Sequence, residues 1–219
     1  MSPAGPLLCS AAGAALAGLA MGLVVPRLPE PPPTPPDGWA KPRYATLGTA
    51  RHVALVSAAG GVAGAVVGLQ PSVQWPLLLA LAGPGAALVG VDALTTYLPL
   101  GLTRWCWVLA GVGLAVAGPG VVPRAALAGL ATAALFWLVW RLGAGLGFGD
   151  VRLAPLVALS GAVDSWTACY LALLFGSLLG VSWGLVTTLW RRHHPHPLGN
   201  VFPYGPSLWL GLWPALLLA

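Results

Sequence analysis

Long apolar runs separated by short polar segments extend along the whole chain. Eight of these runs are candidate membrane spans, at residues 7–25, 53–70, 75–94, 105–122, 125–142, 151–164, 166–190 and 201–218. A helix needs roughly 20 residues to cross a bilayer, so most of the runs have the required length and the sixth is short. The pattern predicts an all-α integral membrane protein with about eight transmembrane helices.

The composition also indicates a membrane location. Of the 219 residues, 58% are hydrophobic and 7% are charged, whereas soluble domains carry about 25% charged residues. Polar side chains are too scarce to cover a water-facing globule, so the lipid bilayer is the expected partner of the outer helix faces. The net charge of +5 is explained by basic loops that set membrane orientation, and no nucleic acid partner is expected.

A proline-rich segment, residues 26–51, separates the first apolar run from the second. Its prolines exclude a helix through its first half and favour an extended polyproline conformation. The chain therefore divides into a first span at 1–25, a cytoplasmic linker at 26–51 and a polytopic domain at 52–219. Glu30 and Asp37 in the linker are expected to be solvated and are given no chemical role.

The basic residues predict the orientation of the helices. With the N-terminus outside and one crossing per run, nine of the ten basic residues fall in or beside cytoplasmic loops, and Arg124 falls outside. The cytoplasmic loops of membrane proteins carry an excess of Lys and Arg, so this orientation is favoured. The nine are Arg27, Lys41, Arg43, Arg51, Arg104, Arg141, Arg152, Arg191 and Arg192.

Two of the five acidic residues lie in apolar sequence. Asp92 is near the predicted cytoplasmic end of the third run, and Asp150 opens the sixth run from the same side. A charged Asp at the centre of a spanning helix costs about 2.5–3.5 kcal/mol on insertion scales, and such residues are functional candidates by default. The alternative for each is that it ends or caps a helix near the headgroups. Because the topology brings both to one membrane face, we expect them to form one site.

Four glycines alternate ahead of Asp150, namely Gly143, Gly145, Gly147 and Gly149. They are too frequent for a stable helix and predict an irregular backbone that lines a cavity. Two carboxylates that approach each other there hold one proton between them near neutral pH. The ionised group can take a proton from water, and the protonated group can hydrogen-bond the scissile carbonyl, as in aspartic proteases. This chemistry needs no metal and no cofactor.

Three segments occur in order along the chain. Asp92 is followed by the pair Leu98-Pro99, then comes "GFGD" from Gly147 to Asp150, and "FPYGPSLWLG" spans residues 202–211. Together they resemble the type IV prepilin peptidases, or leader peptidases, which belong to the GxGD-type intramembrane aspartic proteases. The likeness covers about residues 52–219.

The resemblance implies a catalytic pair of Asp92 and Asp150, with Gly147 and Gly149 shaping the active-site loop. It also implies cleavage of the leader peptide of prepilins or pseudopilins at the cytoplasmic membrane face. Many family members carry a cytoplasmic domain with two CxxC pairs after the first span, and they also methylate the new N-terminus. Because the linker here contains no cysteine, no methyltransferase activity is expected.

An alternative from another class is a small transporter that uses Asp92 and Asp150 as proton or cation sites. Such a protein is expected to have two similar halves with broken helices in matching positions, and one glycine-rich break is found.

The histidines of "RRHHPHP", residues 191–197, lack an accompanying acid or cysteine, so a basic loop is favoured over a metal site. Cys9, Cys106 and Cys169 are expected to be small buried hydrophobes.

Two glycine pairs at helical spacing, Gly18-x-x-x-Gly22 and Gly176-x-x-x-Gly180, predict close helix contacts. Such contacts form within one chain or between copies, so the oligomeric state stays open at this point.

Overall fold

The computed structural model describes residues 4–30, 42–143, 146–193 and 202–219, and these form eight long helices without any strand. The helices are α1 (Ala4–Arg27), α2 (Ala50–Val67), α3 (Ser72–Thr95), α4 (Leu100–Ala117), α5 (Val122–Arg141), α6 (Phe148–Asp164), α7 (Trp166–His193) and α8 (Gly205–Leu218). Six of them, α1 to α5 and α7, are long and apolar enough to cross a membrane. The prediction of an all-α multi-pass membrane protein is confirmed.

The helix ends differ from the predicted ones where tertiary contacts extend or shorten a run. α4 begins at Leu100, directly after Pro99, since the fixed φ of proline suits a helix start. α6 begins at Phe148, so Gly149 and Asp150 already lie in its first turn. Asp150 is therefore the third residue of the helix and not its first, and its carboxylate caps the helix start through the Gly147 N–H. α6 and α7 are separated at Ser165, whose extended backbone ends α6.

The irregular backbone expected before Asp150 is shorter than the glycine pattern predicts. Gly143 has a φ of 73°, in the left-handed region that favours glycine, and Gly147 is extended. Gly149 is helical. Gly145 lies outside the described residues.

Three helices, α3, α6 and α8, form the centre of the bundle. In α3, 78% of the apolar window is buried, against 22–39% in the other five long spans. Thirteen of the seventeen residues of α6 and nine of the fourteen residues of α8 are buried. The sides of these inner helices face protein, whereas the outer helices present their apolar faces to lipid.

α8 runs antiparallel to α3, and hydrogen bonds at three levels fix their register. The Gly205 N–H donates to Asp92 Oδ2 at 3.0 Å, the Trp209 indole donates to the Leu81 carbonyl at 2.8 Å, and the Gln70 side chain donates to the Leu216 carbonyl at 3.0 Å. The start of α8 therefore lies beside the end of α3, at the end of the bundle where α6 also begins.

Close glycine contacts join neighbouring helices within the chain. A Cβ at Gly18 would lie 2.4 Å from the Ser57 hydroxyl of α2, and one at Gly176 would lie 2.9 Å from the Leu208 backbone of α8. Gly180 lies against the ring of Tyr204. Both Gly-x-x-x-Gly pairs thus make contacts inside one chain.

Arg124 lies at the opposite end of the bundle from the two aspartates. Its guanidinium donates hydrogen bonds to the carbonyls of Val163 at 2.8 Å and Asp164 at 2.9 Å. A cation at a helix C-terminus satisfies the last carbonyls and interacts favourably with the helix dipole. Arg124 of α5 therefore caps the buried helix α6.

The described end of the linker packs against the bundle. Tyr44 and Leu47 are buried, and the Ala45 N–H donates to Glu30 Oε1 at 3.2 Å. Glu30 itself is exposed, and Asp37 lies outside the described residues. The division of the chain at residue 51 stays a prediction.

Candidate active site

Asp92 lies in the last turn of α3, with 4% of its surface exposed. Its Oδ2 accepts the 3.0 Å hydrogen bond from the N–H of Gly205, the first residue of α8. A Cβ at position 205 would lie 2.7 Å from this same oxygen and 3.3 Å from Cδ2 of Leu153 in α6. Glycine at 205 therefore lets the start of α8 fit between Asp92 and α6.

Asp150 is the third residue of α6, with 7% of its surface exposed. Its Oδ2 accepts a hydrogen bond of 3.2 Å from the Gly147 N–H, and its own N–H donates to the Gly147 carbonyl at 3.0 Å. A side chain at this position that reaches back to the residue before the helix is one half of a capping box. This bond orients the carboxylate toward the glycine loop, close to the positive end of the α6 dipole.

Leu98 connects the segment after Asp92 to the segment that carries Asp150. The buried Leu98 side chain lies directly against Gly149, where a Cβ would lie 2.8 Å from Cδ1 and 2.9 Å from Cβ of Leu98. Gly149 is thus a position of close approach between α6 and the α3–α4 turn. Gly147 keeps space for the Asp150 carboxylate, since a Cβ there would lie 3.1 Å from Oδ2.

The two aspartates that the sequence singled out lie at the same end of the bundle, where Gly205 packs between Asp92 and Leu153 and Leu98 packs against Gly149. Each carboxylate accepts one backbone N–H through Oδ2. Among the described residues, Oδ1 of each makes no hydrogen bond. The arrangement leaves one oxygen of each carboxylate for water, a shared proton or a substrate group.

Two tyrosines lie near the pair, and only one of them belongs to a segment that the sequence singled out. Tyr44, from the end of the linker, lies near Asp92, and burial together with the Glu30 charge raises its pKa to about 12. Its phenol is therefore neutral at physiological pH. Tyr204, directly before α8, lies within range of the Asp150 charge and donates a hydrogen bond of 3.2 Å to Ser177 Oγ. The segment 202–211 indicated Tyr204, whereas no sequence signal marks Tyr44.

Aromatic contacts hold the first turn of α6 against its neighbours. The Arg152 guanidinium lies 4.6 Å from the centroid of the Phe148 ring, and the Trp140 ring of α5 lies 4.9 Å from the same ring. The Trp107 indole of α4 donates to the Arg152 carbonyl at 3.2 Å. These contacts fix the backbone on both sides of Asp150.

The described parts of the chain show no cluster of metal-binding side chains. No group of three His, Cys, Asp or Glu side chains comes together there. His194 and His196 lie outside the described residues. The three cysteines are buried and unpaired, as expected for small hydrophobes.

Comparison with known proteins gives a partial match. Over 73 residues, the chain is 38% identical to proteins named prepilin leader peptidase/N-methyltransferase from Aeromonas salmonicida (strain A449) and Aeromonas hydrophila. The match covers 33% of this chain and 23% of each relative, so the chain aligns with less than a quarter of their length. No family model and no solved structure matches. One third of this chain is thus similar to prepilin leader peptidases, which supports a place in the prepilin peptidase family.

Proposed function

We propose that this chain is a membrane aspartic endopeptidase that removes the leader peptide of type IV prepilin-like proteins at the cytoplasmic face of the cell membrane. One observation carries the proposal: the three segments that resemble the family converge around two buried carboxylates. Asp92 is held by Gly205, and Asp150 is held by Gly147. The partial identity to prepilin leader peptidases supports the substrate class.

The proposed reaction uses the two carboxylates as a unit. At low dielectric, two interacting carboxylates hold one proton near neutral pH. The ionised carboxylate takes a proton from water, whose oxygen attacks the scissile carbonyl carbon, while the protonated carboxylate donates its proton to the carbonyl oxygen. The tetrahedral gem-diol then collapses: the proton taken from water passes to the leaving amine, and the second carboxylate takes a proton back from a gem-diol hydroxyl, which leaves a carboxylic acid and restores the pair. The peptide C–N bond breaks without a covalent enzyme intermediate.

The backbone amides give each carboxylate a fixed orientation for this reaction. The Gly205 and Gly147 N–H groups bind Oδ2 of Asp92 and Asp150. Donors that are already in place stabilise negative charge without reorganisation during the reaction. Oδ1 of each carboxylate is then the oxygen that handles the proton and the water.

The basic residues support cleavage at the cytoplasmic face. Arg104 lies in the first turns of α4, Arg141 ends α5, and Arg152 lies in the first turns of α6. These helix termini share one end of the bundle with Asp92 and Asp150. An excess of arginine marks the cytoplasmic side, so the leader is expected to enter from there while the apolar helix of the substrate stays in the bilayer.

We further propose that cleavage is not followed by methylation of the new N-terminus. The named relatives combine leader peptidase and N-methyltransferase, but the linker of this chain contains no cysteine. Mass spectrometry of the processed substrate distinguishes the two outcomes. An unmodified new N-terminus is expected, and a methylated one contradicts this part of the proposal.

The proposal is tested by co-expressing the chain with several prepilin-like substrates in bacterial membranes. Wild type is expected to shorten a substrate by its leader, whereas Asp92→Asn and Asp150→Asn leave it intact at equal enzyme levels. Asp164→Asn, at the other end of α6, is the matched control and is expected to cleave like wild type. Cleavage by both site variants at the wild-type rate contradicts the catalytic pair. Failure of wild type on every substrate, with Asp92-dependent proton flux in vesicles, favours the transporter instead.

A further inference from the structure

We propose that Leu98 is a positioning residue that sets the separation between Asp92 and Asp150. This role rests on the proposed function, because separation matters only if the two carboxylates react together. Leu98 acts through its contact with Gly149, the residue directly before Asp150.

A spacer is required because the helices that carry the aspartates make little direct contact. Among the described residues, α6 packs against α4, α5, α7 and α8, whereas α3 packs against α1, α2, α4 and α8. Close contacts among the described residues bridge α3 and α6 near the carboxylates. On one side the start of α8 lies between Asp92 and Leu153, and on the other side Leu98 lies against Gly149.

The turn that carries Leu98 is fixed relative to Asp92. The Thr95 hydroxyl donates to the Val91 carbonyl at 2.8 Å and accepts the Tyr97 N–H at 3.2 Å. Thr96 has φ 58° and ψ 23°, and its N–H donates to the Asp92 carbonyl at 2.7 Å. A left-handed backbone is rare for a β-branched residue and persists only where the surrounding structure determines it. Among the described residues, Thr96 is the one non-glycine residue with a positive φ.

The residue after Leu98 fixes the other end of the turn. Pro99 precedes α4, and its carbonyl accepts hydrogen bonds from the Thr103 hydroxyl at 2.9 Å and the Thr103 N–H at 3.0 Å. Leu98 therefore lies between two anchored points and cannot follow a shift of α6. Any change in its volume is transmitted to Gly149 and so to Asp150.

The separation controls how strongly the two carboxylates share a proton. Interacting acids titrate as a pair with two apparent pKa values. These two values move closer together as the interaction between the acids weakens. Among the described residues, the phenols of Tyr44 and Tyr204 lie near the pair, Tyr44 on the side of Asp92 and Tyr204 on the side of Asp150. Because these phenols are neutral at the pH of a peptidase assay, a change in the dependence of cleavage rate on pH reports on the two carboxylates.

The test compares Leu98→Ala with Leu100→Ala in purified protein. Leu100 is 43% exposed and lies two residues further along, so it controls for the loss of a leucine in the same segment. Leu98→Ala is expected to lower kcat on the order of 10- to 100-fold, as a small misplacement of reacting groups does. KM is expected to stay near the wild-type value. The alkaline limb of the pH profile is expected to move to higher pH, because a shorter side chain at this position lets the two carboxylates approach and interact more strongly, while Leu100→Ala leaves kcat and the profile unchanged.

A rescue experiment separates positioning from simple destabilisation. Gly149→Ala places a Cβ 2.8 Å from Cδ1 and 3.2 Å from Cγ of Leu98, so it is expected to lower kcat by pushing the two segments apart. Adding Leu98→Ala removes both of these atoms but keeps the Cβ at position 98, 2.9 Å from the added Cβ, so the relief is partial. The double variant is expected to be more active than Gly149→Ala alone.

Two results would overturn the positioning role. One is a loss of activity in Leu98→Ala that follows the amount of folded protein, with an unchanged pH profile. The other is a double variant whose loss of activity equals the product of the losses in Gly149→Ala and Leu98→Ala. Both presuppose a wild type that cleaves and an Asp92→Asn variant that does not, so failure of the proposed function is seen separately.

Discussion

The Gly205 N–H donates a hydrogen bond of 3.0 Å to Oδ2 of Asp92 across 113 residues of sequence. This bond joins the start of α8 to the end of α3. The Leu153 side chain of α6 also packs against Gly205, so all three inner helices meet at this glycine. The C-terminal segment is therefore part of the same unit as the two aspartates.

Replacement of Gly205 by alanine is expected to abolish most cleavage. The added Cβ would lie 2.7 Å from Oδ2 of Asp92, so the carboxylate must move and its hydrogen bond is lost. Initial rates of leader removal by purified protein measure the effect. The matched control is Gly111→Ala in α4, where a Cβ meets nothing within 4 Å. This control is expected to cleave normally, and equal activity of the two variants contradicts the role of Gly205.

The Tyr204 hydroxyl is expected to support stability more than catalysis. Tyr204→Phe removes the 3.2 Å hydrogen bond to Ser177, which is worth about 0.5–1.5 kcal/mol, and leaves the ring against Gly180. The variant is expected to melt earlier in detergent and to keep its cleavage activity. Inactive but folded Tyr204→Phe protein would show that the hydroxyl takes part in the reaction.

Displacement of the Tyr204 ring is expected to have a larger effect. A Cβ at Gly180 would lie 2.0 Å from Cε2 of this ring, so Gly180→Ala must shift the residue that precedes Gly205. Cleavage rate and thermal unfolding are both expected to fall. Wild-type values in both measurements would contradict this packing.

Arg124 is expected to stabilise the fold without affecting the reaction. Arg124→Met removes two hydrogen bonds to the last carbonyls of α6, and hydrogen bonds to charged groups contribute about 1.5–3 kcal/mol each. A lower unfolding temperature in detergent is expected, with cleavage per folded molecule unchanged. Arg124→Lys keeps the charge and is expected to recover part of the loss, whereas equal melting of Met and Lys variants argues against the capping role.

Tyr44 predicts a specific loss of stability at high pH. Burial and the Glu30 charge raise its pKa from 10.0 to about 12, so between these values the folded protein binds more protons than the unfolded chain. Stability contributed by this group is complete below pH 10 and is lost as the pH rises through about 12. Across this pH interval, the melting temperature is expected to fall more steeply for wild type than for Tyr44→Phe. The same dependence on pH in both proteins would contradict this prediction.

The hydrophobic pattern predicted the eight described helices because each of the eight apolar runs coincides with most of one helix. Local glycine content was a poorer guide near Asp150. Propensity alone predicts irregular backbone through Gly149, but Phe148 packs against Trp140 and Leu98 packs against Gly149. These tertiary contacts stabilise one more helical turn and place Asp150 inside it.

The remaining parts of the site depend on contacts that leave no periodic signal. Tyr44 reaches the neighbourhood of Asp92 because the end of the linker folds back on the bundle. The Gly205 amide is recognised only when α8 is placed antiparallel to α3. The two aspartates stood out because acids in apolar sequence are rare, which is a property of composition and not of packing; their catalytic role stays a prediction.

In the proposed mechanism, Asp92 and Asp150 react as one unit that holds a single proton. The most direct measurement is the initial rate of leader cleavage by purified protein against pH, for wild type and for Asp92→Asn and Asp150→Asn. A paired mechanism predicts a bell-shaped wild-type profile and no detectable cleavage by either variant at any pH. A rate that rises continuously with pH, or wild-type cleavage by either variant, would contradict the account.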